Sequence, residues 1–201
     1  MNRLFALIVS CGFFTLGAPS GHTAENDFFS KSGKPPAAES KSASGQNAPT
    51  LATLNEAENA VADIWKRLPF TVRNSMFVSK PAEGYGGYEK RPSNVFGPGE
   101  KLLTYAEPTG YKWEETSPGN FHFGFTTDFE LLTPSGEILG GQRAFQSLEF
   151  TTHARNRELF LNLTISIGGL KPGNYVIAFV IHDKVGAGTT RTELPFTIKE
   201  P

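Results

Sequence analysis

The sequence predicts a mainly β chain: an antiparallel β-sandwich of seven or eight strands, preceded by one short amphipathic helix. Three observations carry that expectation. Two long stretches alternate apolar with polar residues, turns containing proline and glycine separate the apolar segments, and the chain holds 17 Phe, 21 Gly and 14 Pro but only 19% charged residues. Alternation with period two places successive side chains on opposite faces of a strand. Proline presets the first dihedral of a turn, and glycine accepts positive φ. With 201 residues, the chain has room for one substantial domain and its appendages.

Residues 1–24 read as a secretory signal: Arg3, an apolar run over residues 4–14, then the small residues Ala18, Ser20 and Ala24. The run is shorter than the roughly 20 apolar residues that span a bilayer, so no transmembrane segment is expected and a periplasmic or secreted location is. Cleavage after Ala24 is preferred to cleavage after Ser20. Cys11, the only cysteine, lies inside this run, so the mature chain is expected to hold no disulfide. Ile8-Val9-Ser10-Cys11 has the form of a lipoprotein box. The short apolar stretch before it and the apolar residues after it weigh against lipid anchoring at Cys11. Residues 25–50 are Ser, Lys, Ala, Gly, Pro and Asn with only Phe28 and Phe29 to bury, which predicts a disordered linker.

Residues 51–69 predict the helix. Thr53 and Glu56 have capping-box spacing, Ala57, Val61, Ile64, Trp65 and Leu68 recur at helical intervals, and Pro69 ends the element. Its apolar face is expected to pack on the sandwich, with an external partner as the alternative.

Residues 70–201 form the β domain, with strands expected over 70–78, 101–107, 111–115, 121–132, 146–152, 158–167, 174–182 and 190–198. Phe121, Phe123, Phe125, Phe129 and Leu131 share one face while His122, Thr126, Asp128 and Glu130 share the other. Leu159, Leu161, Leu163, Ile165 and Ile167 repeat the pattern. Residues 175–181 are apolar at nearly every position and predict a central strand. Turns are expected at 117–120, 133–136 and 171–174, each holding proline beside or near glycine.

Leu170-Lys171-Pro172-Gly173-Asn174-Tyr175 resembles the turn and tyrosine corner of immunoglobulin-like and fibronectin-III domains. The resemblance implies an immunoglobulin-like β-sandwich in which the tyrosine hydroxyl reaches back to the backbone. Phe96-Gly97-Pro98-Gly99-Glu100, leading into Leu102, Leu103 and Tyr105, is similar to the opening of an early strand in many exported bacterial modules of this class. Leu194-Pro195-Phe196-Thr197-Ile198 resembles their closing strand. Paired cysteines are absent, which leaves the disulfide-free relatives. The whole pattern resembles exported proteins of alphaproteobacteria, and implies a location and a fold but no activity and no site residues.

Function is read from the residues themselves. A formal charge of -1, about -2 once the signal is removed, gives no reason to expect nucleic acid as a partner. His122, His153 and His182 lie on separate segments without metal-ligand spacing, and no metal or other cofactor is expected. His182 and Asp183 are expected to cap the loop over 183–188, with a rim site as the alternative. No G-x-S-x-G motif is present, and a non-catalytic protein is expected.

The segment 83–92 stands out. Tyr85 and Tyr88 offer faces and hydroxyls, and Arg91 can pair with a carboxylate. The alternative is a loop whose tyrosines fold back over the sandwich edge. Tyr111 and Trp113, with Tyr105, form a second aromatic group that would extend the first if the fold brings them together. These observations predict an exported binding module acting through Tyr85, Tyr88, Arg91, Tyr111 and Trp113 on a protein or glycan of the cell envelope. The alternatives are an assembly protein offering a β-edge, or a metal carrier or enzyme using the histidines. The oligomeric state stays open.

Overall fold

The computed structural model describes residues 48–201, of which Thr50–Pro201 form one compact unit. The expected signal, the Phe28-Phe29 pair, Cys11 and nearly all of the linker lie outside the described residues. The described chain is mainly β. Helix α1 (Leu51–Arg67) precedes β1 (Thr71–Phe77), β2 (Val95–Phe96), β3 (Lys101–Thr109), β4 (Glu114–Ser117), β5 (Asn120–Leu132), β6 (Ile138–Thr152), β7 (Leu161–Ser166), β8 (Gly173–Asp183) and β9 (Thr189–Ile198).

Two sheets result. The smaller has the order β1-β3-β7, antiparallel throughout. The larger runs β2-β9-β8-β5, with β4 and β8 sharing one side of β5 and β6 paired along its other side, and it curls into a half-barrel. β2 joins β9 in parallel over two residues.

Alternation decides which faces meet. Phe123 and Phe125 of β5, Leu161 and Leu163 of β7, and Ile177, Phe179 and Ile181 of β8 are fully buried in one core drawn from both sheets. Burying a side chain of this size contributes roughly 1.5–3 kcal/mol relative to leaving it exposed. β8 lies between β5 and β9, as its nearly continuous apolar run predicts. At the corner before β8, the Tyr175 hydroxyl donates to the Lys171 carbonyl at 2.9 Å, the bond that the tyrosine-corner resemblance implies.

Several boundaries differ from the sequence reading. The helix starts at Leu51 as expected, but its N-cap is Thr50 and not Thr53: the Thr50 side chain accepts from the Thr53 amide at 3.2 Å. Of the helix's apolar positions, only Ala62 and Trp65 are buried, while Val61, Ile64 and Leu68 remain exposed. Trp65 is the anchor. Its indole donates to the Tyr111 carbonyl at 2.8 Å and its ring stacks on Trp113 at 5.7 Å.

The strand expected at 146–152 starts eight residues earlier, at Ile138. Its first half escapes a period-two reading because a bulge opposite Asp128 shifts the register. Ala144 takes φ 48 in that bulge, and the Asp128 carboxylate accepts its amide at 2.7 Å. The strand expected at 111–115 shifts to Glu114–Ser117 because Tyr111 turns inward instead. The two-residue β2 was not expected, since so short a parallel pairing leaves no local pattern.

Candidate functional site

The connection from β1 to β2, residues 78–94, carries Tyr85, Tyr88 and Arg91 and is fastened to the smaller sheet at several points. Asn162 of β7 holds Ala82 twice, its carbonyl accepting the Ala82 amide at 3.0 Å and its amide donating to the Ala82 carbonyl at 2.9 Å. The Ser79 amide donates to the Glu89 carbonyl, and the Arg91 amide to the Phe77 carbonyl at 3.0 Å. Tyr105 of β3 supplies the central post. Its hydroxyl accepts the Gly86 amide at 2.8 Å while donating to Glu107 at 2.8 Å.

Glu107 is a buried carboxylate with hydrogen bonds on both oxygens. Besides Tyr105, it accepts from Arg73 Nε and a terminal Arg73 nitrogen at 3.1 Å each, and from Asn74 at 2.8 Å. A buried carboxylate persists only when paired and hydrogen-bonded. Burial pushes the Tyr105 phenol up to about 12 and Glu107 adds to that rise, while the Gly86 amide opposes it. The phenol therefore stays protonated near neutral pH and keeps donating. Sequence reasoning missed Glu107, and the signal available was Arg73-Asn74 on the strand that pairs with β3.

On this support the tyrosines fold back. Tyr88 packs on Tyr105 with centroids 4.5 Å apart, and the Arg73 guanidinium sits over the Tyr85 ring at 5.6 Å. Both tyrosines are half-buried. Arg91 leans over Phe96 at 4.2 Å, pairs with Glu100 at 2.8 Å and donates to the Val95 carbonyl at 2.9 Å.

Beside Arg91 opens a cleft of about 380 Å³, between β1, the segment from Lys90 to Asn94, and β9. It exists because β1 pairs only with β3 and β9 only with β8 and the short β2, so the facing edges of β1 and β9 form no ladder. Phe77 of β1 with Leu194 and Pro195 of β9 give the cleft apolar walls, and Lys90 and Arg91 supply cations. Pro195 brings no N–H, and its carbonyl is taken by Asn94 at 3.0 Å. Two buried polar atoms of lining residues, Ser75 Oγ and Arg91 Nε, have no hydrogen-bond partner among the described residues.

The fold splits the second predicted aromatic group: Tyr105 joins Tyr88 of the first, while Tyr111 and Trp113 lie elsewhere. Tyr88 and Tyr105 belong to a small cluster with Val78 and Ala82, whereas Tyr111 and Trp113 belong to the main core. Tyr111 is fully buried, which raises its phenol far above the ordinary value, and it donates to the Asn156 carbonyl at 2.8 Å. Trp113 is half-buried and donates to the same carbonyl at 3.0 Å. Trp113 also faces a shallow recess of about 200 Å³ with Lys112, Phe121 and Arg155, where Arg155 stacks on Phe121 at 4.9 Å.

The histidines stay apart, on β5, after β6 and on β8. Among the described residues, no group of three or more His, Cys, Asp or Glu is placed to hold a metal. His182 turns not to its neighbour Asp183 but to Asp128, at 2.9 Å, with its other ring nitrogen 3.1 Å from Thr189 Oγ1. The second oxygen of Asp128 is already committed to the bulge amide, so the line Asp128-His182-Thr189 braces β5, β8 and β9. Burial opposes charge on Asp128, but the Ala144 amide and the His182 ring outweigh it and hold the carboxyl below its ordinary value. Asp183 is buried and accepts the amides of Lys112 at 2.9 Å and Val185 at 3.0 Å. Its role is the loop-capping one.

No family profile matches the chain, and no curated protein does. Solved structures give faint likenesses. A superoxide reductase (neelaredoxin) from Ignicoccus hospitalis aligns at TM-score 0.34 and 6% identity, over 64% of this chain and 82% of that one. Fibronectin(III)-like modules of Clostridium thermocellum CbhA align at 0.26 and 16%, over 54% and 43%. The alkylpurine DNA glycosylase AlkC of Pseudomonas fluorescens aligns at 0.35 and 11%, over 74% and 38%. At such scores none of them bears on what this chain does.

Proposed function

We propose that the protein is a non-catalytic binding module of the cell envelope, exported to the periplasm or beyond, with an immunoglobulin-like β domain. Its binding surface is the cleft between β1 and β9, and its ligand is an extended protein segment with acidic character. The observation that carries this reading is the cleft itself. The edges of β1 and β9 face each other between apolar walls with no ladder joining them, bridged only where Arg91 meets Phe77 and Asn94 meets Pro195, and a gap between strand edges is where an extended chain can add. Lys90 sets the preferred charge, since Arg91 is already paired with Glu100. The loop that bears them is fixed in advance by Tyr105 and Asn162, which lowers the ordering cost of binding.

An array of extended peptides of matched length and opposite charge tests this. Acidic peptides are expected to bind preferentially, to weaken as salt rises, and to lose tenfold or more on Lys90→Glu, an exposed position. Equal binding of acidic and basic peptides, or unchanged affinity in K90E, rejects the reading.

A second reading has an observation of its own. β6 pairs with β5 on one side only and leaves a long outer edge, the feature an assembly protein would use. The bulge at Ala144 interrupts that edge, as natural edges do to discourage strand addition. The cleft is therefore preferred.

A further inference from the structure

The recess of about 200 Å³ beside the β4–β5 hairpin is lined by Lys66, Lys112, Trp113, Glu115, Phe121 and Arg155. The strands set its floor: Phe121 of β5 pairs opposite Glu115 of β4 on one side and opposite Thr152 of β6 on the other. The chain leaving β6 then carries Arg155 back over the Phe121 ring at 4.9 Å. That chain is held in place. The Asn156 carbonyl accepts both the Tyr111 hydroxyl at 2.8 Å and the Trp113 indole at 3.0 Å, and Trp65 stacks on Trp113. A site fixed before its ligand arrives loses less on binding.

The charges around this recess are unequally used. Lys66 is paired with Asp63, and Lys112 donates to the carbonyls of Lys66 and Leu68. Arg155 pairs with no carboxylate among the described residues. Stacking occupies the flat face of its guanidinium and leaves the in-plane N–H donors, the fork that takes a carboxylate through two bonds. Glu115 commits one oxygen to the Gly119 amide at 3.2 Å, and its second oxygen remains an acceptor.

We infer that this recess binds an acidic sugar residue, a pyranose ring that bears a carboxylate. The carboxylate pairs with Arg155, a ring hydroxyl donates to Glu115, and the C–H face of the ring lies against Trp113, whose negative ring face attracts it. Other ligands use only part of this set. A plain anion leaves the indole without a partner and meets Glu115 as a like charge, while a neutral sugar leaves Arg155 unpaired. The recess is smaller than the roughly 300–1,000 Å³ of pockets for drug-sized ligands, so it holds one ring. An extended chain has the larger cleft between β1 and β9.

The chain has two tryptophans, so the indole N–H resonances in an NMR titration of the full chain read the site directly. Methyl glucuronide is expected to move the Trp113 signal more than that of Trp65, whose indole is bonded within the core. Dissociation in the millimolar range is expected for a single ring, weakening as salt rises. The methyl ester of the same sugar and methyl glucoside, which carry no charge, should bind at least tenfold more weakly, and acetate at equal concentration should not reproduce the shift. Arg155→Ala should lose at least tenfold with an unchanged circular dichroism spectrum, whereas Arg157→Ala should keep the native affinity. A Trp113 signal that methyl glucuronide leaves unmoved overturns the proposal, as does an ester that binds equally well, a comparison that needs no variant. Native affinity in R155A, or an equal response to acetate or to an acidic peptide, overturns it too. Lys90→Glu should leave sugar binding intact, so the recess and the cleft stand or fall separately.

Discussion

Replacing Tyr105 with Phe removes one oxygen from the fully buried post beneath the β1–β2 connection and leaves the ring packing intact. The hydroxyl makes two bonds there, a donation to the Glu107 carboxylate and an acceptance from the Gly86 amide, both 2.8 Å. A bond to a charged group contributes about 1.5–3 kcal/mol, and a buried acceptor that loses its donor keeps its desolvation cost. Gly86 is exposed, so water replaces its lost acceptor and adds little. The expected loss is therefore about 2–3 kcal/mol. For a domain of this size each kcal/mol shifts Tm by about 2–4 °C, so a fall of roughly 5–10 °C is expected.

Tyr175→Phe is the matched control. It deletes a hydroxyl whose neutral bond to the Lys171 carbonyl is exposed and should cost only about 0.5–1 kcal/mol. Urea denaturation reads the two losses, and amide hydrogen exchange reads Gly86, which should lose protection in Y105F and keep it in Y175F. A Y105F protein as stable as Y175F, with Gly86 still protected, refutes the argument that this hydroxyl fixes the loop.

Gly110→Ala should be more damaging than its size suggests. Gly110 sits at φ +80, where an added Cβ would lie 2.6 Å from the Pro69 carbonyl oxygen, so strain and displacement together should cost about 2 kcal/mol or more, read by thermal unfolding. Asp128 makes stability depend on acid pH. Its folded pKa lies below the ordinary 3.8, so its contribution is present above that value and is lost as pH falls from it toward the folded value. Asp128→Asn should flatten that part of a stability-against-pH curve, and a variant curve parallel to the native one would remove Asp128 from the account.

What the sequence disclosed follows from how local each signal is. The Phe123-Phe125 and Leu161-Leu163 faces were legible because period two records the side of the sheet in the sequence itself. Tyr175 and its corner were legible because the turn chemistry is contiguous. The reach of β6 was hidden by its bulge, whose cause, the Asp128 carboxylate, lies 16 residues away. The helix was recognisable, but not its docking: the apolar stripe names a face, and only the position of Tyr111 and Trp113 decides that Trp65 is the anchor, with Ala62 buried beside it. The cleft was least legible of all. Arg91 was singled out, yet the opposing wall comes from Leu194 and Pro195, and nothing local states that the edges of β1 and β9 stop short of pairing.

The buried carboxylates hold connections in place. Glu107 and Asp183 are the carboxylates the domain buries among its described residues, and such groups are where strongly functional acids are sought. Glu107 instead spends its oxygens on Arg73, Asn74 and Tyr105, and Asp183 spends its own on two backbone amides. Each thereby holds a connection in one conformation: Glu107 the segment bearing Tyr85 to Arg91 through Tyr105, and Asp183 the segment bearing Lys112. Lys112 in turn donates to the Lys66 carbonyl at 2.6 Å, capping the end of α1. Carboxylates used in this way rigidify the surfaces that present Lys90, Arg91 and the helix.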